Sequence, residues 1–453
     1  MLKCAHKTPA QVRLSDTVPT PMQALRMAQW NFLELLPNAC LNQRVISGQA
    51  GSRFHMIMDP PLIRDLLNAR VEDFPKGDMI VNLFRSVALE NIVSAHGSTW
   101  EKLRPPMAQS IHISALKDFS GVFSKAADAT SARLGRLAGA TVDIESLMTQ
   151  STYEVISKLA ISESDPALAH TVQRALNNFT TEISRFSPLD FFNAPAWLPR
   201  PGRSTHSPTV AYGQKLIDEV IAQRKLDGPK SPPDILDRLL AAQQQDSYIS
   251  DAHIRDNLNV MLIAGHDTTA RTLSWAFYLS AFDPEIQEAA SLEARNVLQG
   301  RAAGYEDIEQ LPLTAQIIKE TMRLYPSFPL LVRKSMINET LHGLDFKKDD
   351  QILIPLYALH RSTLHWEEPH RFLPGRFDGA TKINKYAYLP FGGGPRICIG
   401  ASFAQLQAQI QLATLLSRYR FSLIKGRTPQ PSLSFSLISR NGIHLKAERI
   451  LPA

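Results

Sequence analysis

Residues 391–400 read FGGGPRICIG: three consecutive glycines, then an arginine two positions before a lone cysteine. Glycine lets a backbone take positive φ and pass close to a bulky group. The apolar segment after Cys398 reads as a helix, whose positive end would favour a thiolate. Loop amides could donate to the sulfur and tune its electron density, and Arg396 could fork onto a carboxylate. Spacing removes several competing loops. A phosphatase-type loop needs arginine six residues after the cysteine, where this chain has Ala404. No Gly-Lys-Ser/Thr follows the glycines, and no C-x-x-C offers zinc or dithiol chemistry. Taken alone, a cysteine in such a turn is most often a buried free thiol.

Around this loop the 453-residue chain is 44% hydrophobic and 20% charged, which is ample apolar material for a large core. A net charge of +6 is too weak for nucleic acid, and no nucleic-acid motif accompanies it. It does suit an acidic protein partner. Three cysteines, Cys4, Cys40 and Cys398, make no disulfide framework and point to a reducing cytosol. The N-terminus lacks an apolar core of signal-peptide length. The longest uncharged run, 397–417, carries Gln405, Gln407, Gln409 and Gln411, so it reads as a buried helix and not a membrane span. The expectation is a cytoplasmic monomer.

Helical spacing runs from Ser98 to about Leu240, with proline-rich breaks at 188–208 and 229–233. Residues 250–282 form one long helical pattern, opened by Ser250–Asp251 and stopped by Asp283–Pro284. A second helix follows Pro312 and ends before Tyr325–Pro326. SRFHMIM, FPLLVRKS and QILIPLY read as short strands, the last two separated by the turns HGLD and KKDD. No repeat is evident. The fold class is mainly α with a minor β part, read as a single domain over 1–453.

A thiolate with flat space above it and a carboxylate partner suits haem, whose propionates are carboxylates; a thiolate axial ligand favours O–O cleavage. The pattern F-x-x-G-x-R-x-C-x-G is matched at Phe391, Gly394, Arg396, Cys398 and Gly400. It resembles the haem-binding loop of the cytochrome P-450 family of haem-thiolate monooxygenases. The resemblance covers roughly residue 53 to the end and is strongest from 250 to 410. It implies that family's fold, with haem b between the long central helix and the helix after the cysteine. Cys398 would be the axial ligand of the iron, with Phe391, Arg396 and Gly400 around the cofactor.

Other motifs follow in the family's order. WEKLR resembles its W-x-x-x-R helix, which implies that Trp100 and Arg104 hold a propionate, and Arg333 matches another propionate ligand. KETMR resembles the buried E-x-x-R pair, here Glu320 and Arg323, joined by Arg376 of PGRF. Gly375 departs from the glutamate common at that position. LIAGHDTT, residues 262–269, resembles the oxygen-binding stretch of the central helix, especially in bacterial fatty-acid hydroxylases. Ala264 and Gly265 would leave room for dioxygen over the haem. Asp267 and Thr268 would be the catalytic acid–alcohol pair that delivers protons.

The resemblance implies a soluble, bacterial-type monooxygenase that inserts one oxygen atom from O2 into a hydrophobic small molecule. The 55 residues after Cys398 leave no fused flavin reductase expected. Electrons from NAD(P)H would come through a separate ferredoxin and its NAD(P)H-dependent reductase, docking near Lys102, Arg104, Lys382, Lys385 and Arg396. By position, the substrate pocket would include Ile92, Val93, Ala264, Phe328, Leu331 and Leu437, all apolar. Two alternatives share the cofactor: a peroxygenase using hydrogen peroxide, and a non-catalytic haem-binding or sensor protein. Peroxygenases of this fold typically carry an arginine-centred site, and the Asp267–Thr268 pair argues against both alternatives.

Overall fold

In chain order the main helices are α1 (Asp78–Arg85), α2 (Gly97–Ser110), α3 (Ile113–Arg136), α4 (Ile144–Ile161), α5 (Pro208–Asp227), α6 (Ile235–Gln245), α7 (Asp251–Phe282), α8 (Pro284–Leu298), α9 (Pro312–Leu324) and α10 (Ala401–Arg418). The computed structural model describes residues 8–17, 31–50, 52–85, 88–137, 139–162 and 208–450. Cys4 lies outside them, as does all but the last residue of the proline-rich break expected at 188–208.

Local signals set the boundaries of the central helix. Ser250 accepts from the His253 amide at 3.1 Å, and the His253 ring accepts from the Ser250 amide at 3.2 Å, which closes a capping box at the start of α7. Asp283 ends α7 and caps the next helix, accepting from the Ile286 amide at 3.1 Å. Pro284 then occupies the first turn of α8, where its missing N–H costs nothing. Both faces of α7 are buried over most of its length, so it is a core helix and not a surface one. It packs along α4, while α10 packs against α3 and α8.

The main sheet has four strands: β1 (Val45–Ala50), β2 (Ser52–Ile57), β3 (Leu331–Lys334) and β4 (Gln351–Ile354), in the order β1-β2-β4-β3. β2 and β4 are parallel, and β3 pairs antiparallel with β4, with Arg333 opposite Ile352. Alternation places Leu331 and Arg333 on one face of β3. A bridge from Lys76 to Arg333 extends this edge. A three-stranded sheet joins Thr141–Asp143, His444–Arg449 and Tyr419–Leu423. A short hairpin, β5 (Pro431–Leu433) and β6 (Leu437–Ser439), lies near the C-terminus.

The buried core has two parts. One surrounds the main sheet and the C-terminal half of α7; the other surrounds α3, α4, α6 and the first half of α7. A cavity lies where they meet. Among the described residues, no helix is long and apolar enough to cross a membrane.

Candidate active site

The cysteine loop is built on close backbone approach. The Cys398 amide donates to the Phe391 carbonyl at 3.0 Å, and the Ile397 amide to Gly394 at 3.1 Å. Gly394 has φ +68°, and a Cβ there would lie 1.8 Å from the Leu67 carbonyl oxygen, so no other residue fits. α10 begins at Ala401, three residues beyond the cysteine rather than at it. The Gly400 amide fills the gap by donating to the Cys398 thiol. The thiol opens onto the cavity but is walled by protein. Burial therefore pushes it up, against the Gly400 amide and the charges of Arg104 and Lys76.

The cavity measures about 330 Å³ and carries four cations on its wall: Lys76, Arg104, Arg333 and Arg396. Each is anchored to backbone. Lys76 Nζ donates to Val93 at 2.9 Å, Arg104 Nη2 to Ile397 at 2.8 Å, Arg333 Nη1 to Val332 at 3.0 Å and Arg396 Nη1 to Ala95 at 2.8 Å. Trp100 holds two of them, with the Arg396 guanidinium 3.9 Å and that of Arg104 5.6 Å from its ring. Among the described residues none of the four pairs with a carboxylate. Burial and mutual repulsion lower Lys76 to about 7 and Arg333 and Arg396 to about 10. Four cations clustered on one cavity, without a carboxylate in ion-pair contact, suit an anion. A thiol and four such cations facing one space fit a metal-bearing dicarboxylate, which haem is.

α7 supplies the opposite wall through Ala264, Gly265 and Thr268. A Cβ on Gly265 would come within 3.1 Å of the Ile156 side chain, so glycine here lets α4 pack closely on α7. Thr268 Oγ1 donates to the Ala264 carbonyl at 2.8 Å, which leaves its lone pairs free to accept. Ser327 Oγ donates to the Thr268 carbonyl at 2.9 Å and lies 3.1 Å from Thr272 Oγ1.

Asp267 does not share that wall. Its carboxylate is buried and receives Arg271 Nη2 at 2.8 Å and Nε at 3.2 Å, and its other oxygen accepts from the Ser436 hydroxyl. Arg271 also reaches Glu145 at 3.4 Å. Burial works to raise the Asp267 carboxyl, but the Arg271 charge and the Ser436 hydroxyl hold it below its usual range. Asp267 thus points away from the wall that carries Thr268, because adjacent helix positions point about 100° apart.

Ile92, Val93, Phe328 and Leu331 line the cavity as expected, together with Phe84, Met261 and Leu330. Leu437 does not. It is fully buried in the neighbouring core, where its amide donates to Ser327 and its carbonyl accepts from Trp275 Nε1 at 3.0 Å. Phe391, Arg396 and Gly400 stand on the proximal wall beside Cys398.

Behind the site, Arg323 and Glu320 form a fully buried bidentate pair, with both N···O distances 2.7 Å. Arg323 also donates to the carbonyls of His360, Pro369 and Arg371. Arg376 approaches Glu320 at 3.4 Å. This cluster fastens the 356–377 segment to α9. Of the expected docking residues, Lys102, Lys382 and Lys385 are exposed, whereas Arg104 and Arg396 are turned to the cavity.

Sequence reasoning missed Lys76, Ser327, Arg271 and Ser436. Only Arg271 carried a local signal, four residues after Asp267 on a helix. The others reach the site through tertiary contacts alone.

A family model described as Cytochrome P450 matches residues 45–447. The chain is 30% identical to Protein LUTEIN DEFICIENT 5, chloroplastic, of Arabidopsis thaliana, over 83% of this chain and 67% of that protein. It is 28% identical to Carotene epsilon-monooxygenase, chloroplastic, of the same plant (88% and 78% covered), and 27% identical to Putative cytochrome P450 132 of Mycobacterium tuberculosis (88% and 89% covered). Among solved structures, a cytochrome P450DA heme-domain mutant superimposes with TM-score 0.79 at 23% identity, covering 90% of this chain and 91% of that one.

Proposed function

Since the chain belongs to the cytochrome P450 family and is an oxidoreductase of its haem-thiolate monooxygenase type, we propose that Cys398 ligates its haem iron and that the substrate is a hydrocarbon-rich small molecule. The observation that carries this reading is a single thiol lining one cavity with four cations that, among the described residues, have no carboxylate in ion-pair contact. Lys76, Arg104, Arg333 and Arg396 would hold the propionates, with Trp100 fixing the two guanidinium planes it touches. When bound, the haem supplies the activation of dioxygen through which one oxygen atom enters the substrate and the other leaves as water.

The chain's own residues divide the remaining work. Thr268 Oγ1, oriented by its bond to the Ala264 carbonyl, accepts a hydrogen bond from the cavity and positions a proton there. Ser327 and Thr272 fix the Thr268 carbonyl and with it the local helix geometry. Asp267 sits outside the cavity wall, so its part in proton supply goes through the hydroxyls around it, not by direct contact. Phe84, Ile92, Val93, Met261, Phe328 and Leu331 exclude water and offer only apolar surface to the substrate. That surface, together with a relative whose name specifies carotene, supports a substrate of fatty-acid or terpenoid type. Exposed Lys102, Lys382 and Lys385 support docking of an acidic ferredoxin that relays electrons from NAD(P)H. Peroxygenases of this fold typically carry an arginine-centred site in place of the acid–alcohol pair; here Asp267 and Thr268 are kept, and the arginine nearest them on α7, Arg271, is engaged by Asp267 and Glu145.

The test is a screen of hydrophobic compounds for absorbance shifts of the haem-loaded protein. Compounds that bind are then incubated with a surrogate ferredoxin, its reductase, NADPH and labelled dioxygen. The expected product carries one atom of the label. Binders confined to polar or charged compounds, or a product labelled from water, would contradict the proposal.

A further inference from the structure

The turn of the β5–β6 hairpin, residues 434–436, meets α7 through Ser436 and meets two cavity-lining rings through Phe435. Each strand has only three residues. A two-stranded ribbon that short does not hold its own position. Its anchors come from other elements: the Leu437 amide donates to the Ser327 carbonyl at 2.9 Å, Trp275 Nε1 to the Leu437 carbonyl, and the Ser439 amide to Glu145 Oε1 at 3.1 Å. At the turn itself the anchor is Ser436, whose hydroxyl donates to Asp267 and whose surface is 1% exposed.

The residue beside that anchor is Phe435. Its ring lies 6.0 Å from that of Phe84 and 5.3 Å, edge to face, from that of Phe328. Those two rings line the cavity and come from distant parts of the chain, α1 and the segment after α9. Phe435 touches both from behind.

We propose that Asp267 and Ser436 form a latch that seats the hairpin turn, so that Phe435 holds Phe84 and Phe328 in place as a wall of the cavity. Ser436 and Phe435 are then specificity-determining positioning residues, and the carboxylate expected to serve protons also sets the shape of the pocket. The inference rests on the reading above only in using bound haem as a reporter.

Two measurements on the full chain test it. The first is amide hydrogen exchange, which needs no cofactor. Ser436→Ala should speed exchange across 431–439, and Ser436→Thr, which keeps the hydroxyl, should restore it. The second is the affinity of haem-loaded protein for imidazole and for 4-phenylimidazole, read from the absorbance shift. Phe435→Ala should change the ratio of the two affinities by about tenfold in favour of the larger ligand, the scale of a small volume change in an apolar pocket. Ser436→Ala should move the ratio the same way, and should add nothing in the Phe435→Ala background. Wild-type exchange in Ser436→Ala overturns the latch, as does an unchanged affinity ratio or additive effects of the two substitutions. A protein that takes up no haem fails the earlier reading, while the exchange arm still decides this one.

Discussion

Replacing Arg333 by leucine should move two properties in opposite directions. Arg333 is buried, repelled by Arg396 and donates to the neighbouring Val332 carbonyl. Removing it relieves a buried like-charge contact, so the haem-free protein should melt at a higher temperature. The same change removes a charged hydrogen bond to a propionate, so haem should bind about 1.5–3 kcal/mol more weakly. Calorimetry of the haem-free protein and haem titration check the two signs; equal loss of both would make Arg333 an ordinary structural residue. Thr268 gives a second test at this scale. Its hydroxyl is already committed to Ala264 as a donor, so Thr268→Ala removes an oriented acceptor but no packing partner. Product formation should fall by about 10²–10⁴-fold, the usual loss for a proton-handling group. NAD(P)H consumption should continue, with hydrogen peroxide replacing product, and unchanged product per NAD(P)H would remove Thr268 from the mechanism.

Elements were legible where their signals are local. Ser250, Asp283 and Pro284 bound α7 because caps and prolines act on their own turn. The glycines of the cysteine loop were legible for the same reason. Asp267 and Arg271 have the helix spacing of an ion pair, and order along the chain, which puts Leu437 near the pocket, says nothing about which way a hairpin turns. Lys76 had no local mark, since the bridge to Arg333 and the neighbouring Arg104 and Arg396 come from segments far along the chain. The Glu320–Arg323 pair and its link to Arg376 were readable as motifs, but the carbonyls of His360, Pro369 and Arg371 that Arg323 binds were not. Glu320→Ala or Arg323→Ala strands a buried charge and should cost about 3–5 kcal/mol, with loss of stable haem incorporation; normal yield and haem content in both would show the pair to be dispensable.

The same segment makes a pH prediction. His360 is buried beside Arg323 and Arg361, and its Nε2 accepts from the Leu389 amide at 3.0 Å. Burial, and then those two charges, lower it to about 3. The unfolded chain takes up this proton at about pH 6.5. Between those values the unfolded state holds more protons, so stability falls as the pH falls, by about 1.4 kcal/mol per unit. Above pH 6.5 the contribution is fully present. Urea unfolding of wild type and His360→Asn at several acidic pH values should show this part of the slope only in wild type; parallel slopes would contradict it.

At the scale of the whole molecule, the two core regions bring together residues that are far apart in the chain. Lys76, Arg104, Arg333 and Arg396 come from a loop, a helix, a strand and the cysteine loop, and they line one cavity with Cys398. Cys40, by contrast, lies against Met56 in the core and is pushed up to about 12 by burial, which makes it an inert thiol. The reduced, carbon-monoxide-bound absorbance spectrum tests this distinction most directly. Wild type and Cys40→Ser should both show the red-shifted Soret band of thiolate-ligated haem, and Cys398→Ser should lose it. A band that survives in Cys398→Ser, or that disappears in Cys40→Ser, would contradict the assignment of Cys398 as the iron ligand.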